Sequence, residues 1–241
     1  MREDIKILYE DNHLLVVVKP QNIPAQSDES GDKDLLTILK EYLVEKYNKP
    51  GEAYLALVHR LDRPTGGVMV FAKTSKAAAR LSEAIRSGDV EKRYLAVVHG
   101  APREKQKKLV CYLKKFSDNF VRIVPPLTEG AKYAELDYVT LKTEKDFSLV
   151  KVNLVTGRGH QIRVQMSGIG NPIAGDMRYG GEDKIKVPLC LWAYEMKFNH
   201  PISGARLVFR VYPPEDQPLW NLFDIEHFLR LSIKNDTLYT N

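Results

Sequence analysis

Nine consecutive residues, His59-Arg60-Leu61-Asp62-Arg63-Pro64-Thr65-Gly66-Gly67, set one carboxylate between two arginines. Neighbouring positive charge favours the ionised form of a carboxylate. In that form Asp62 can serve as a nucleophile or a base. A turn-capping Asp with surface arginines fits the same nine residues. A phosphatase built on aspartate would place a second Asp two positions later. That position is Pro64, which argues against phosphoryl transfer. A second cluster is Thr156-Gly157-Arg158-Gly159-His160-Gln161-Ile162-Arg163. Its two glycines set a loop that opens a predicted helix. Arg158, His160, Gln161 and Arg163 all carry donors, and a helix start with Arg beside it suits an anion or phosphate. It is neither a Walker loop nor a complete dinucleotide fingerprint. A strand-to-helix turn with exposed basic side chains explains it equally well. The third feature is Glu91-Lys92-Arg93-Tyr94-Leu95-Ala96-Val97-Val98-His99-Gly100, a basic pair leading into a strand. Alternation puts Tyr94, Ala96 and Val98 on one face. An aromatic there can stack on an extruded base or simply fill the core.

The rest of the composition narrows the chemistry. The 241 residues include 36 Lys and Arg against 31 Asp and Glu, a net charge of +5, with 44% hydrophobic and 28% charged residues. That is an ordinary globular composition. The pI of about 9.0 favours a polyanionic partner, most obviously nucleic acid. Apolar runs such as Leu14–Val18 and Val68–Ala72 have five residues each, and none exceeds six. A membrane helix needs roughly 20. The charged start, Met-Arg-Glu-Asp-Ile-Lys, has no apolar signal region. A cytoplasmic protein is expected. Cys111 and Cys190 are too few for a disulfide framework or a cysteine zinc site. The histidines at 13, 59, 99, 160, 200 and 227 show no metal-ligand spacing, so no metal is expected. There is no Gly-x-Ser-x-Gly, so a serine hydrolase elbow is unsupported.

These clusters need elements to position them. The patterns predict a buried strand over Leu14–Lys19 and a loop over Gln21–Gly31. An amphipathic helix is predicted over Asp34–Tyr47, carrying Leu35, Ile38, Leu39, Tyr42 and Leu43 on one face. Strands follow at Tyr54–Val58 and Gly67–Lys73. A helix capped by Thr74 or Ser75 then runs to Gly88. Beyond it the strands multiply: Arg93–Val98, Lys108–Leu113, Asn119–Val124, Lys132–Leu141 and Phe147–Val155. A short helix is expected over His160–Ser167, then strands at Leu189–Phe198 and Arg206–Tyr212. The tail after Pro213-Pro214 brings Trp220, Phe223, Ile225 and Phe228 onto the body as a short helix, with fraying from Ile233. This order predicts an α+β fold with a mostly antiparallel mixed sheet. A single catalytic domain over 1–241, in two halves around a cleft, is the simplest organisation.

Taken together the segments resemble the RluA-type pseudouridine synthases. The resemblance runs through Lys19-Pro20, His59-Arg60-Leu61-Asp62 with Thr65-x-Gly67, and Ala72-Lys73. It continues through Lys92-x-Tyr94-x-Ala96-x-Val98-x-Gly100 and Gly157-Arg158-x-His160-Gln161-Ile162-Arg163. Gly170-x-Pro172-Ile173-x-Gly175-Asp176-x-x-Tyr179-Gly180, Leu191-x-Ala193 and Phe198-x-His200-Pro201 close the series. Order and spacing agree over residues 11–212. The resemblance implies an isomerase that converts uridine to pseudouridine in ribosomal or transfer RNA without cofactor or metal. It implies flanking helices and a central active-site cleft. It makes Asp62 the catalytic carboxylate, Arg163 the arginine paired with it, and Tyr94 the tyrosine lining the base pocket. Arg60 would fill the gap left by the extruded nucleotide, and Leu191 would wall the pocket. His59, Lys73, Arg158, His160 and Gln161 are the remaining substrate-binding residues it points to.

Three positions depart from the family pattern: Gly66 where Ser is common, Gly159 where Thr is common, and Trp192 where His is common. These bear on local RNA contacts. No room is left for a separate small N-terminal RNA-binding domain, so the core would bind RNA itself. Lys105, Lys107, Lys108, Lys114 and Lys115 are its candidate phosphate contacts. A monomer is expected. The rival readings are a catalytically silent RNA-binding relative and an Asp-dependent hydrolase or phosphotransferase. A silent binder has no need of Asp62, Tyr94 and Arg163 together.

Overall fold

The computed structural model describes residues 5–181 and 185–238. In chain order the elements are β1 (Ile7–Glu10), β2 (Leu14–Lys19), α1 (Leu35–Lys46), β3 (Ala56–Leu57), β4 (Gly66–Ala72), α2 (Ser75–Ser87), β5 (Glu91–His99) and β6 (Gln106–Lys115). Then follow β7 (Val121–Val124), β8 (Lys132–Glu144), β9 (Phe147–Leu154), α3 (Gln161–Gly168), β10 (Leu191–Asn199), β11 (Arg206–Arg210) and α4 (Ile225–Leu238). This is an α+β fold with a mixed, mostly antiparallel, unclosed sheet and, among the described residues, four α-helices. The chain divides into two compact units, Met1–Lys92 with Ala193–Tyr212 and Arg93–Trp192 with Pro213–Asn241.

In the first unit the strands run β1-β2-β4-β10, with β3 paired to β4 and β11 to β10. Every residue of β4 is buried, which its uninterrupted apolar sequence requires. Leu14, Val16, Val68, Val70, Met196 and Phe198 pack with Ala77 and Leu81 of α2. α1 starts where the Asp34 carboxylate accepts the Thr37 N–H at 3.0 Å. It buries Leu35, Leu39 and Leu43, one side chain per turn. Thr74 caps α2 in the same way, and Gly88 ends it in the left-handed conformation. Gly67 is held to glycine twice over: its φ is +124°, and a Cβ would lie 2.2 Å from the Ala193 carbonyl oxygen.

In the second unit the order is β5-β9-β8-β6-β7. The long hairpin of β8 and β9 carries a bulge between Thr140 and Lys142. Leu113, Val121, Ala134 and Val164 seat α3 against this sheet. Trp220 and Phe223 are buried, and α4 packs on β8. α4 runs to Leu238, past the Ile233 at which the sequence suggests fraying. Residues 239–241 lie outside the described ones. β1 has no counterpart in the sequence reading. The expected strand at Asn119–Val124 starts only at Val121, because Asn119 turns with φ +61°.

Candidate active site

Asp62 lies in the loop between β3 and β4 and is half-buried. Its own carbonyl accepts the Thr65 N–H at 2.9 Å, closing a turn. The following carbonyls are gripped from the end of β2. The Lys19 ammonium donates to the carbonyls of Arg63 at 3.0 Å and Thr65 at 2.8 Å, and to Pro20 at 2.9 Å. Gln21 donates to the Pro64 carbonyl at 2.9 Å, and the Asn22 N–H to the Arg63 carbonyl at 2.8 Å. Arg63 turns away, with Nε on the Asn22 carbonyl and Nη2 on Asp32. Lys19 is fully buried. Burial pulls its ammonium down to about 7, helped by the charge of Arg63 and opposed by that of Asp62. The Asp62 loop is thus rigid from behind, while Arg60, two residues before the carboxylate, is exposed.

His59 has a backbone role in this unit. Its Nε2 accepts the Val70 N–H of β4 at 3.1 Å. Burial, with the charge of Lys92, drives its pKa down to about 3, so the ring is neutral. Lys73 is drawn elsewhere. Its ammonium donates to Glu10 at 2.8 Å and to the Asp11 carbonyl at 2.6 Å, and lies 4.9 Å over the Tyr47 ring. Burial raises the Glu10 carboxyl, but donors from Lys46, Lys73, Tyr47 and Tyr42 outweigh it and hold the group at about 2.

The second unit gathers the Gly157–Arg163 segment. His160 precedes α3 in the left-handed conformation, φ +55°, with no side-chain cap. That is a strained state for a residue with a Cβ. Its Nδ1 meets the Tyr179 hydroxyl at 2.7 Å, and the same hydroxyl accepts the Val121 N–H at 3.0 Å. Gln161 accepts from the Thr156 hydroxyl and the Arg158 N–H, and donates to the Glu135 carbonyl and Gln165. Two acceptances and two donations use its full hydrogen-bonding capacity. Gln161 therefore shapes the loop that carries Arg158. Arg158 is exposed, its Nε donating to the Tyr133 carbonyl at 2.8 Å.

Arg163 faces Asp176. Nε and Nη2 donate to the two carboxylate oxygens at 2.7 Å each. Asp176 also accepts the N–H groups of Arg178 and Tyr179. Burial pushes the Asp176 carboxyl up. The guanidinium and the backbone donors prevail and lower it. Gly175 makes this turn possible: its φ is +76°, and a Cβ would sit 2.5 Å from the Pro188 carbonyl. Asp176 is a site residue to which sequence reasoning gave no role, although its Gly-Asp-x-x-Tyr-Gly setting was visible. Tyr94 is buried on β5 opposite Val152 of β9, and Leu191 is buried at the start of β10. Burial pushes the Cys190 thiol up to about 12, far from a reactive thiolate. Among the described residues no group of three His, Cys, Asp or Glu could hold a metal, and no helix is long and apolar enough to cross a membrane.

The fold and these segments match one family. Residues 13–168 fit the profile of RNA pseudouridylate synthase. The Bacillus subtilis (strain 168) protein named Uncharacterized RNA pseudouridine synthase YjbO is 35% identical over 217 residues, covering 88% of this chain and 74% of that one. The Escherichia coli (strain K12) Ribosomal large subunit pseudouridine synthase C is 34% identical over 223 residues, covering 88% and 67%. Among solved structures, Human RNA Pseudouridylate Synthase Domain Containing 4 superposes with a TM-score of 0.73 at 25% identity, covering 87% of this chain and 89% of its own. The chain belongs to the RNA pseudouridylate synthase family, isomerases that convert uridine to pseudouridine in RNA.

Proposed function

We propose that this protein forms pseudouridine in a structured ribosomal or transfer RNA, with Asp62 as its catalytic carboxylate and Tyr94 and Arg163 serving the same reaction. The observation that carries this reading is the loop around Asp62. Three residues at and just after the end of β2, Lys19, Gln21 and Asn22, fix its carbonyls while the carboxylate-bearing residue stays half-buried. A reaction that must hold one oxygen pair in register uses such a mount. Carbon 5 of a paired uridine is out of reach inside a stack, so the nucleotide must be flipped out, at a cost of a few kcal/mol. Arg60, exposed two residues before Asp62, is the residue proposed to fill the vacancy.

The glycosidic bond from N1 to C1′ breaks and a bond from C5 to C1′ forms, with one proton leaving C5 and one arriving at N1. Attack on the sugar and removal of a sugar proton to give a glycal both need a carboxylate, the role proposed for Asp62. The released uracil turns over before the new bond closes, so its pocket must be closed and partly apolar. Tyr94 and Leu191 are the buried residues offered for that wall. RNA is the partner, the cytoplasm the proposed compartment and a monomer the proposed state. Mapping pseudouridine across total cellular RNA with and without this gene tests the reading. Loss of modification at one or a few uridines is expected. An unchanged map contradicts it.

A further inference from the structure

The second unit carries an unbroken ladder of cations and aromatic rings. The Arg163 guanidinium lies 5.1 Å over the Tyr179 ring. Tyr179 meets Phe120 edge to face, centroids 5.7 Å apart at 80°. Arg178 and Arg122 lie over the Phe120 ring at 5.0 and 5.3 Å. Arg122 also lies 4.9 Å from the Phe116 centroid, and the Lys114 ammonium 5.6 Å from the same ring. Arg122 and Arg178 are exposed, and Phe116, Phe120 and Lys114 are half-buried. We infer that this ladder is a track for the single-stranded RNA flanking the target uridine, phosphates on Arg122, Arg178 and Lys114 and bases on Phe116 and Phe120.

Bracing explains part of the arrangement. Arg178 donates to the Asn119 carbonyl at 3.1 Å, and Val121 to the Tyr179 hydroxyl, which together tie the β6–β7 turn to the Asp176 loop. Bracing does not require two exposed guanidinium groups over one ring. Asp118 is the ladder's own counter-charge for Arg122, at 2.5 Å, but both partners are about half exposed. Such a pair is weak and exchangeable, so a phosphate can replace the carboxylate. A nucleic acid strand carries both anions and ring faces along its length, and the ladder offers cations and rings side by side. An acidic peptide would use the cations and leave the rings idle. The ladder begins at Arg163, a residue of the proposed reaction, so a strand held along it would continue into that site.

The inference rests on the proposed function, and the test separates the two. A labelled twelve-nucleotide oligouridylate is titrated into the full chain across a salt series. In Arg122→Gln/Arg178→Gln the salt slope is expected to drop by about 1.4, two phosphates at about 0.7 each for single strands. Arg122→Lys keeps the wild-type slope. Phe120→Leu weakens binding about tenfold at unchanged slope, and Arg86→Gln on α2 changes nothing. Equal affinity and slope in all variants overturns the ladder, as does displacement of the oligonucleotide by oligoaspartate as readily as by unlabelled oligouridylate. An unchanged cellular pseudouridine map strikes the proposed function instead.

Discussion

Asp176 holds Arg163 by two parallel hydrogen bonds, Nε to Oδ2 and Nη2 to Oδ1, both at 2.7 Å. The side chains are 7% and 0% exposed, so this is a buried ion pair. The fork geometry fixes the plane of the guanidinium as well as its position. A lysine at 163 would keep the charge and lose the plane. Asp176 is thus a positioning residue for Arg163, and its turn is set by Gly175.

Removing Asp176 leaves a guanidinium buried without its partner. Asp176→Ala is expected to lose about 3–5 kcal/mol of stability, the usual cost of breaking such a pair from one side. Urea unfolding measures it. Arg163→Lys should fold with a smaller loss yet reduce kcat, with KM for RNA little changed.

The Asp176 carboxyl is lowered in the folded protein. The unfolded chain therefore binds its proton first as pH falls, so folding is disfavoured on that side. The stability it contributes is full above about pH 5, given an unfolded value near 3.9, and is lost as pH falls through the lowered folded value. Acid unfolding of wild type and Asp176→Asn should converge at low pH. A difference that persists undiminished to pH 2 would contradict the assignment.

Lys19 shifts in the same direction, in a higher pH window. Its folded value of about 7 lies below the unfolded value of about 10.4. Between these limits the unfolded chain binds more protons, so stability rises with pH. Lys19→Met should flatten that rise in urea midpoints measured from pH 7 to 10. It should also lower stability at neutral pH, because the carbonyls of Pro20, Arg63 and Thr65 lose their donor.

Gly67→Ala has no room for its methyl. A φ of +124° and an approach of 2.2 Å to the Ala193 carbonyl each oppose it. A loss above about 2 kcal/mol in urea unfolding is expected. By contrast a Cβ at Gly159 meets nothing within 4 Å, and Gly159→Thr should leave stability nearly unchanged.

Local chemistry made most elements legible in the sequence. The Asp34 and Thr74 caps, the Gly88 stop and the unbroken apolar run of β4 each act within a few residues, so their signals sit together in the chain. β1 was not legible, since its four residues are all half-buried and show no alternation. The site was legible as motifs and not as contacts. Lys19 reaches carbonyls 44 and 46 positions away, and Arg163 meets a carboxylate 13 positions on. Nothing local in the chain specifies those partners. For the same reason the sequence does not reveal that Lys73 bonds Glu10 or that Gln161 bonds the loop at 156–158.

The proposed reaction depends on the carboxylate at 62. In a strain lacking the gene, wild-type protein and Asp62→Asn are expressed at equal level, and pseudouridine is read at the uridines that the deletion leaves unmodified. The wild type should restore them. The Asp62→Asn protein should bind the same RNA with affinity within about threefold and restore none. Full restoration by Asp62→Asn would contradict the central claim.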